Sequence, residues 1–126
     1  MILLGVQLNS FTTFPLSAPT LDTPADDATD VALRTQFDWT KTDAATLFDL
    51  QIATDSGFTQ NLATYDNINA ETYTLASDLD NNTEYFWRVR STDNSSYDSA
   101  WSAVNSFTTY LLSAPTLDLP VDDDTE

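Results

Sequence analysis

The sequence predicts an all-β fold, a seven-stranded sandwich, on three observations. Its acids are 17 Asp to only 3 Glu among 126 residues, and Asp favours turns where Glu favours helices. Its apolar residues alternate singly with polar ones in short runs bounded by turn signals, the period of a half-buried strand. A long segment recurs at a spacing that suits one sandwich of about a hundred residues.

The strands follow in order. Pro19–Thr23 reads as the first, ended by Pro24 and the polar run Asp26-Asp27-Ala28-Thr29-Asp30, read as a loop. Gln36–Thr40 is the second, with Phe37 and Trp39 on one face. Phe48–Ile52 is the third, with Phe48, Leu50 and Ile52 inward, and Asp55-Ser56-Gly57 turns the chain. Leu62–Tyr65 and Thr72–Leu75 are shorter strands, and Asp80-Asn81-Asn82 is a turn. Tyr85–Arg90 carries the clearest alternation, placing Tyr85, Trp87 and Val89 inward and Phe86, Arg88 and Arg90 outward. Ser106–Thr109 is the seventh strand. The predicted core is therefore Trp39, Leu50, Tyr85 and Trp87, with Trp39 dominant and Trp101 covering a sheet edge.

The repeat sets the organisation. Residues 9–30 and 105–126 share 16 of 22 positions without a gap, at an offset of 96. Asn9-Ser10-Phe11-Thr12-Thr13 returns as Asn105-Ser106-Phe107-Thr108-Thr109, and Leu16-Ser17-Ala18-Pro19 as Leu112-Ser113-Ala114-Pro115. A period of this length is too long for a solenoid turn or a propeller blade. The reading is 1–8 unassigned, 9–17 the last strand of a preceding repeat plus linker, 18–109 a complete domain, and 110–126 a linker plus the first strand of a following repeat. Pro15 and Pro19 restrict the linker, so successive domains are expected to hold a preferred angle. Each repeat would advance a rod by roughly 30–45 Å. A variant of this picture has 9–13 completing a separate subunit by strand exchange.

Composition excludes several functions. Four basic residues against twenty acidic ones give a formal charge of −16, which repels nucleic acid and anionic membranes. With no Cys there is neither disulfide nor thiolate. With no His, the usual general base and commonest metal ligand are missing. No stretch is apolar for long enough to cross a membrane. The carboxylates lie mostly in turns, whereas a glycosidase needs two facing each other across a cleft.

The combination of motifs resembles a known family. Trp39, Leu79 ahead of a turn, Asn82-Thr83-Glu84-Tyr85-Phe86-Trp87-Arg88-Val89-Arg90, Ser99-Ala100-Trp101-Ser102 and Ser106-Phe107-Thr108-Thr109 are similar to fibronectin type III repeats of bacterial secreted and surface proteins. The resemblance covers about 18–109 and implies an immunoglobulin-like arrangement, strands A-B-E in one sheet against C′-C-F-G in the other. It also implies a tyrosine corner at Tyr85, the hydroxyl bonded to backbone near Leu79. The Arg-Gly-Asp of animal relatives is missing from Asp93-Asn94-Ser95-Ser96-Tyr97-Asp98, so integrin-type adhesion does not carry over.

Candidate sites are few. Asp26, Asp27 and Asp30 crowd one loop beside Asp22, and Asp118, Asp122, Asp123 and Asp124 repeat the crowding. Calcium takes several carboxylate oxygens at flexible spacing, although no EF-hand or nonapeptide spacing is present; the plain alternative is a solvated acidic loop. Phe86 and Tyr97 are candidates for stacking on a glycan. Asn81 and Asn94 head Asn-X-Ser/Thr sequons. Asp98-Ser99-Ala100 resembles an Asp-Ser/Thr-small acceptor motif for O-linked glycans. The functional expectation is a non-catalytic, extracellular spacer repeat of a surface protein, adhesin or self-assembling filament, partnered by its neighbouring repeats. The alternatives are a glycan- or protein-binding module and an accessory domain of a secreted hydrolase.

Overall fold

The computed structural model describes residues 16–93 and 97–112. Within them eight strands form two sheets: β1 Thr20–Thr23, β2 Ala28–Val31, β3 Gln36–Thr40, β4 Leu47–Ala53, β5 Ala63–Ile68, β6 Thr72–Thr74, β7 Glu84–Thr92 and β8 Asn105–Thr109. The small sheet has the order β1-β3-β6 and the large sheet β2-β8-β7-β4-β5. Every pairing is antiparallel except β2 with β8, which is parallel.

This is the predicted layout with one strand added. The acidic run after Pro24 is not wholly a loop: the chain leaves the small sheet after Thr23 and re-enters the large one as β2. Asp27 makes the crossing, with φ at 65° and its N–H donating to the Ser106 carbonyl at 2.8 Å. Asp tolerates this left-handed region better than most residues. β2 escapes a period-based reading because only Ala28 and Val31 are half-buried while Thr29 and Asp30 are exposed. An outermost strand bearing acids is also poorly suited to edge-to-edge pairing with another chain.

Between the sheets lies one core. Phe37, Trp87 and Leu50 are fully buried, and Trp39 and Tyr85 are 2% and 6% exposed. The aromatic centre is Phe37 against Trp87, ring centroids 4.9 Å apart, with Phe107 at 5.8 Å from both Phe37 and Tyr85. Trp39 does not dominate this centre. It pairs with Phe48 at 5.7 Å, further along the sandwich. The indole N–H groups of Trp39 and Trp87 are buried without a hydrogen-bond partner among the described residues, so both rings contribute packing rather than polar anchoring. The Tyr85 hydroxyl accepts the Asp80 N–H at 3.0 Å, closing the corner next to Leu79. Burial raises the Tyr85 phenol above its ordinary pKa, and the nearby Asp80 charge adds to this.

Candidate functional site

β7 exposes its alternate side chains on the outer face of the large sheet, and these build the most organised polar site among the described residues. The Arg88 guanidinium lies between two rings, 4.1 Å from the centroid of Phe58 and 4.5 Å from that of Trp101. Arg90 lies 4.4 Å from the same Trp101 ring. A cation over an aromatic face is attracted by the ring quadrupole, and guanidinium also stacks flat on it. Each arginine is further held from one side: Gln51 Oε1 accepts from Arg88 at 3.0 and 2.7 Å, and Asp49 accepts from Arg90 at 2.9 Å. Asp98 lies 3.4 Å from Arg90 on its other side. Burial lowers the Arg88 pKa, helped by the neighbouring charge of Arg90; a guanidinium stays charged through such a shift.

Three local devices bring these partners to β7. The first is the turn after β4. Asp55 accepts the N–H groups of Thr59 and Gln60 at 2.9 and 2.8 Å and the Thr59 hydroxyl at 2.7 Å. The Thr59 and Gln60 bonds hold its carboxyl below the usual aspartate range. This turn places Phe58 at φ 57°, a left-handed conformation unusual for an aromatic, with its ring buried beneath Arg88.

The second is a bulge between β4 and β5, where the register slips between Phe48 and Leu50. Asn67 stands there with φ at 56° and donates its N–H to buried Asp49 at 3.0 Å. One carboxylate thus closes the bulge and holds Arg90 at once.

The third is a segment within the β7–β8 connection. Ser99 and Ser102 are spaced three residues apart and imitate a strand along β7. Their N–H groups donate to the carbonyls of Ser91 and Val89, each at 2.9 Å. Their hydroxyls accept the N–H groups of Ser91 and Val89 at 2.9 and 3.1 Å. Trp101 stands between them, over the arginines of a central strand rather than over the sheet edge the sequence suggested. The Ser99 hydroxyl also donates to the Ala100 carbonyl at 2.8 Å and the residue is 8% exposed. The folded domain therefore presents no free hydroxyl at Asp98-Ser99-Ala100.

The other sequence candidates are dispersed. Asp26 and Asp27 direct their carboxylates at one residue of β8: Asp26 accepts the Ser106 N–H at 2.8 Å and Asp27 its hydroxyl at 3.0 Å. Asp30 sits exposed on β2. No group of three or more acids is gathered for a metal ion among the described residues. Asp118, Asp122, Asp123, Asp124 and Asn94 lie outside the described residues, as do residues 9–13 and the strand exchange predicted for them. Asn81 is exposed in the turn before β7, where the Thr83 hydroxyl donates back to its carbonyl at 2.8 Å. Phe86 is half-buried and Tyr97 is 53% exposed. A hollow of about 140 Å³ lies at the pole where Lys41, Phe48, Asn69 and Glu71 meet, below the roughly 300–1,000 Å³ of ordinary ligand clefts.

A family profile described as Rha78A-like, N-terminal immunoglobulin domain matches residues 33–113, the span from the start of the core to the end of β8 and just beyond. The chain belongs to this family. No curated protein matches it in sequence. Among solved structures it is similar to a β-1,2-glucanase from Parabacteroides distasonis, at TM-score 0.58 and 18% identity over 86% of this chain and 15% of that one. It is similar to an α-L-rhamnosidase from Streptomyces avermitilis complexed with L-rhamnose, at TM-score 0.56 and 18% identity over 76% and 10%. It is also similar to the fibronectin type III domain of human fibronectin type III domain containing protein 3, at TM-score 0.56 and 23% identity over 85% and 96%. These likenesses establish the shared sandwich fold. The chain spans only a small part of the two hydrolases and nearly all of the isolated human domain.

Proposed function

We propose that this chain is a non-catalytic sandwich module of a larger secreted, carbohydrate-acting protein, where it positions neighbouring domains rather than transforming a substrate. Family membership over residues 33–113 carries the reading, because the family is named for an N-terminal immunoglobulin domain. Similarity to parts of a glucanase and a rhamnosidase supports it. The outer face agrees chemically: both arginines of β7 are occupied by Gln51, Asp49, Phe58 and Trp101, an arrangement that stiffens a sheet and leaves little to engage a substrate. Such folds host many functions, so the assignment rests on the family and not on the sandwich alone.

The test is to read the coding sequence on both sides of this segment, then express the encoded protein with and without it. A glycoside hydrolase domain in the same polypeptide, whose stability falls when the module is deleted, is the expected result. A run of further copies with no catalytic domain overturns it.

That second outcome is a reading of its own, favoured by the 16 of 22 identities at an offset of 96 residues. In it, the module is a spacer in an extracellular array of copies, in a stalk, adhesin or filament.

A further inference from the structure

The two poles of the sandwich are separated by the length of β7, about 26 Å at 3.3 Å per residue. At the leading pole the described chain is anchored at Leu16, Ser17 and Ala18. Leu16 packs against the core. The Ser17 carbonyl accepts the Ser91 hydroxyl at 2.8 Å, and its N–H donates to Asp43 at 2.5 Å. The Ala18 carbonyl accepts the Thr42 hydroxyl at 3.0 Å, and Pro19 is buried.

At the trailing pole the last anchored of the described residues is Tyr110. Its N–H donates to the Val31 carbonyl at 3.0 Å and its carbonyl accepts the Asn82 N–H at 2.9 Å. The next two residues, Leu111 and Leu112, are 63% and 58% exposed. Two large aliphatic side chains side by side in water at a chain exit need a reason, and the sequence supplies one. Leu112-Ser113-Ala114-Pro115 repeats Leu16-Ser17-Ala18-Pro19, so Leu112 is the counterpart of the residue that seats the leading pole on its core.

We propose that Leu111 and Leu112 form a pole-to-pole seam with a following copy of this repeat, Leu112 seated in that copy as Leu16 is seated here. The proposal rests on the array reading above. Its geometry is restrictive. One copy holds the chain through Tyr110 and the next holds it from Leu112, leaving Leu111 as the single residue between two anchors. Tyr110 and Leu112 then stand at most about 7 Å apart along the chain. That distance is shorter than the reach of the side chains around it, so the trailing pole of one copy meets the leading pole of the next. Leu111 is enclosed where they touch, and successive copies turn as one body.

The test lengthens the full chain by one period in register, joining residues 1–111 to residues 16–126 so that the junction keeps its natural Leu-Leu-Ser sequence. Backbone nitrogen relaxation then reports how each sandwich tumbles. The expected result is one shared, elongated diffusion tensor. Insertion of four glycines after Leu111 should split it into two independent ones, each falling toward the correlation time of the 126-residue chain, with core resonances unmoved. Leu111→Asp should loosen it in the same direction. Independent tumbling in the uninterrupted chain, or a glycine insertion without effect, overturns the seam even if copies do follow one another. The array reading fails separately, if the gene encodes no further copy after Glu126, and takes the natural occupant of the seam with it.

Discussion

The two faces of β7 are held by different physics. Inward, Tyr85, Trp87 and Val89 are stabilised by removal of apolar area from water, against Phe37, Phe107 and Leu50. Outward, Arg88 and Arg90 are held by ring quadrupoles, two carboxylates and an amide, all supplied by loops and neighbouring strands. The first kind of stabilisation is non-directional and scales with area. The second depends on placing a few atoms within a few tenths of an ångström. The inner face therefore tolerates conservative swaps that fill the same volume, whereas the outer face fails one contact at a time.

The comparison can be broken most forcefully from inside. Trp87→Ala removes a fully buried ring at the aromatic centre and should cost about 3–5 kcal/mol in urea unfolding. Trp39→Ala should fall at the lower end of that range, because Trp39 lies away from this centre. Equal or reversed costs would show that the core is centred elsewhere.

Asp49→Ala is the strongest outer-face change. It strips Arg90 of a 2.9 Å partner and leaves the Asn67 N–H of the bulge without its acceptor. Bonds to charged groups are worth about 1.5–3 kcal/mol, so a loss of about 2 kcal/mol is expected, with Asp49→Asn recovering part of it. An Asp49→Ala protein as stable as the parent would mean the bulge closes without its carboxylate.

Trp101→Ala should cost about 1–2 kcal/mol, since it deletes two cation–π contacts and leaves Ser99 and Ser102 to hold their segment alone. A double-mutant cycle with Arg88→Met sharpens this. A coupling of about 0.5–1 kcal/mol is expected, and a coupling of zero would reduce the stack to coincidental proximity.

The smallest effect is a dependence on pH. Bonds from Thr72, first, and Thr23 lower the Asp38 carboxyl below its ordinary 3.8, with burial opposing and Gln36 adding a lesser pull. A depressed carboxylate contributes stability that is full above its unfolded pKa and lost as pH falls through the folded one. The melting temperature of the parent should thus exceed that of Asp38→Asn at pH 6, and the gap should close as pH drops below about 4. A gap that stays constant from pH 6 to pH 3 would remove Asp38 from the account.

How far the sequence could be read tracks these same faces. Alternation alone put Phe37, Trp39, Leu50, Tyr85 and Trp87 inward, and all are buried. The same alternation put Arg88 and Arg90 outward and said nothing of what they meet there. Ser99-Ala100-Trp101-Ser102 was visible as a motif, yet its serine spacing signalled neither a strand mimic nor the ring that rests on two arginines. Asp49 and Phe58 carried no signal. Asp49 sits at an outward position of a strand, where a carboxylate is ordinarily solvated, and Phe58 follows a glycine in a turn.

The sequence by itself determined the β class, the inward set of side chains and the 96-residue period. Those features depend on residues one or two positions apart, or on identity between segments, and both can be read along a line. Only the tertiary structure decided that the chain changes sheets at Asp27 to lay β2 beside β8, and that Asp49 reaches Arg90 and Gln51 reaches Arg88 across 41 and 37 residues of chain. The first outcome turns on left-handed backbone at Asp27, and the other two on the antiparallel register that sets Asp49 opposite Arg90 and Gln51 opposite Arg88. Each is chosen by partners that the fold brings close only once the sheets have formed.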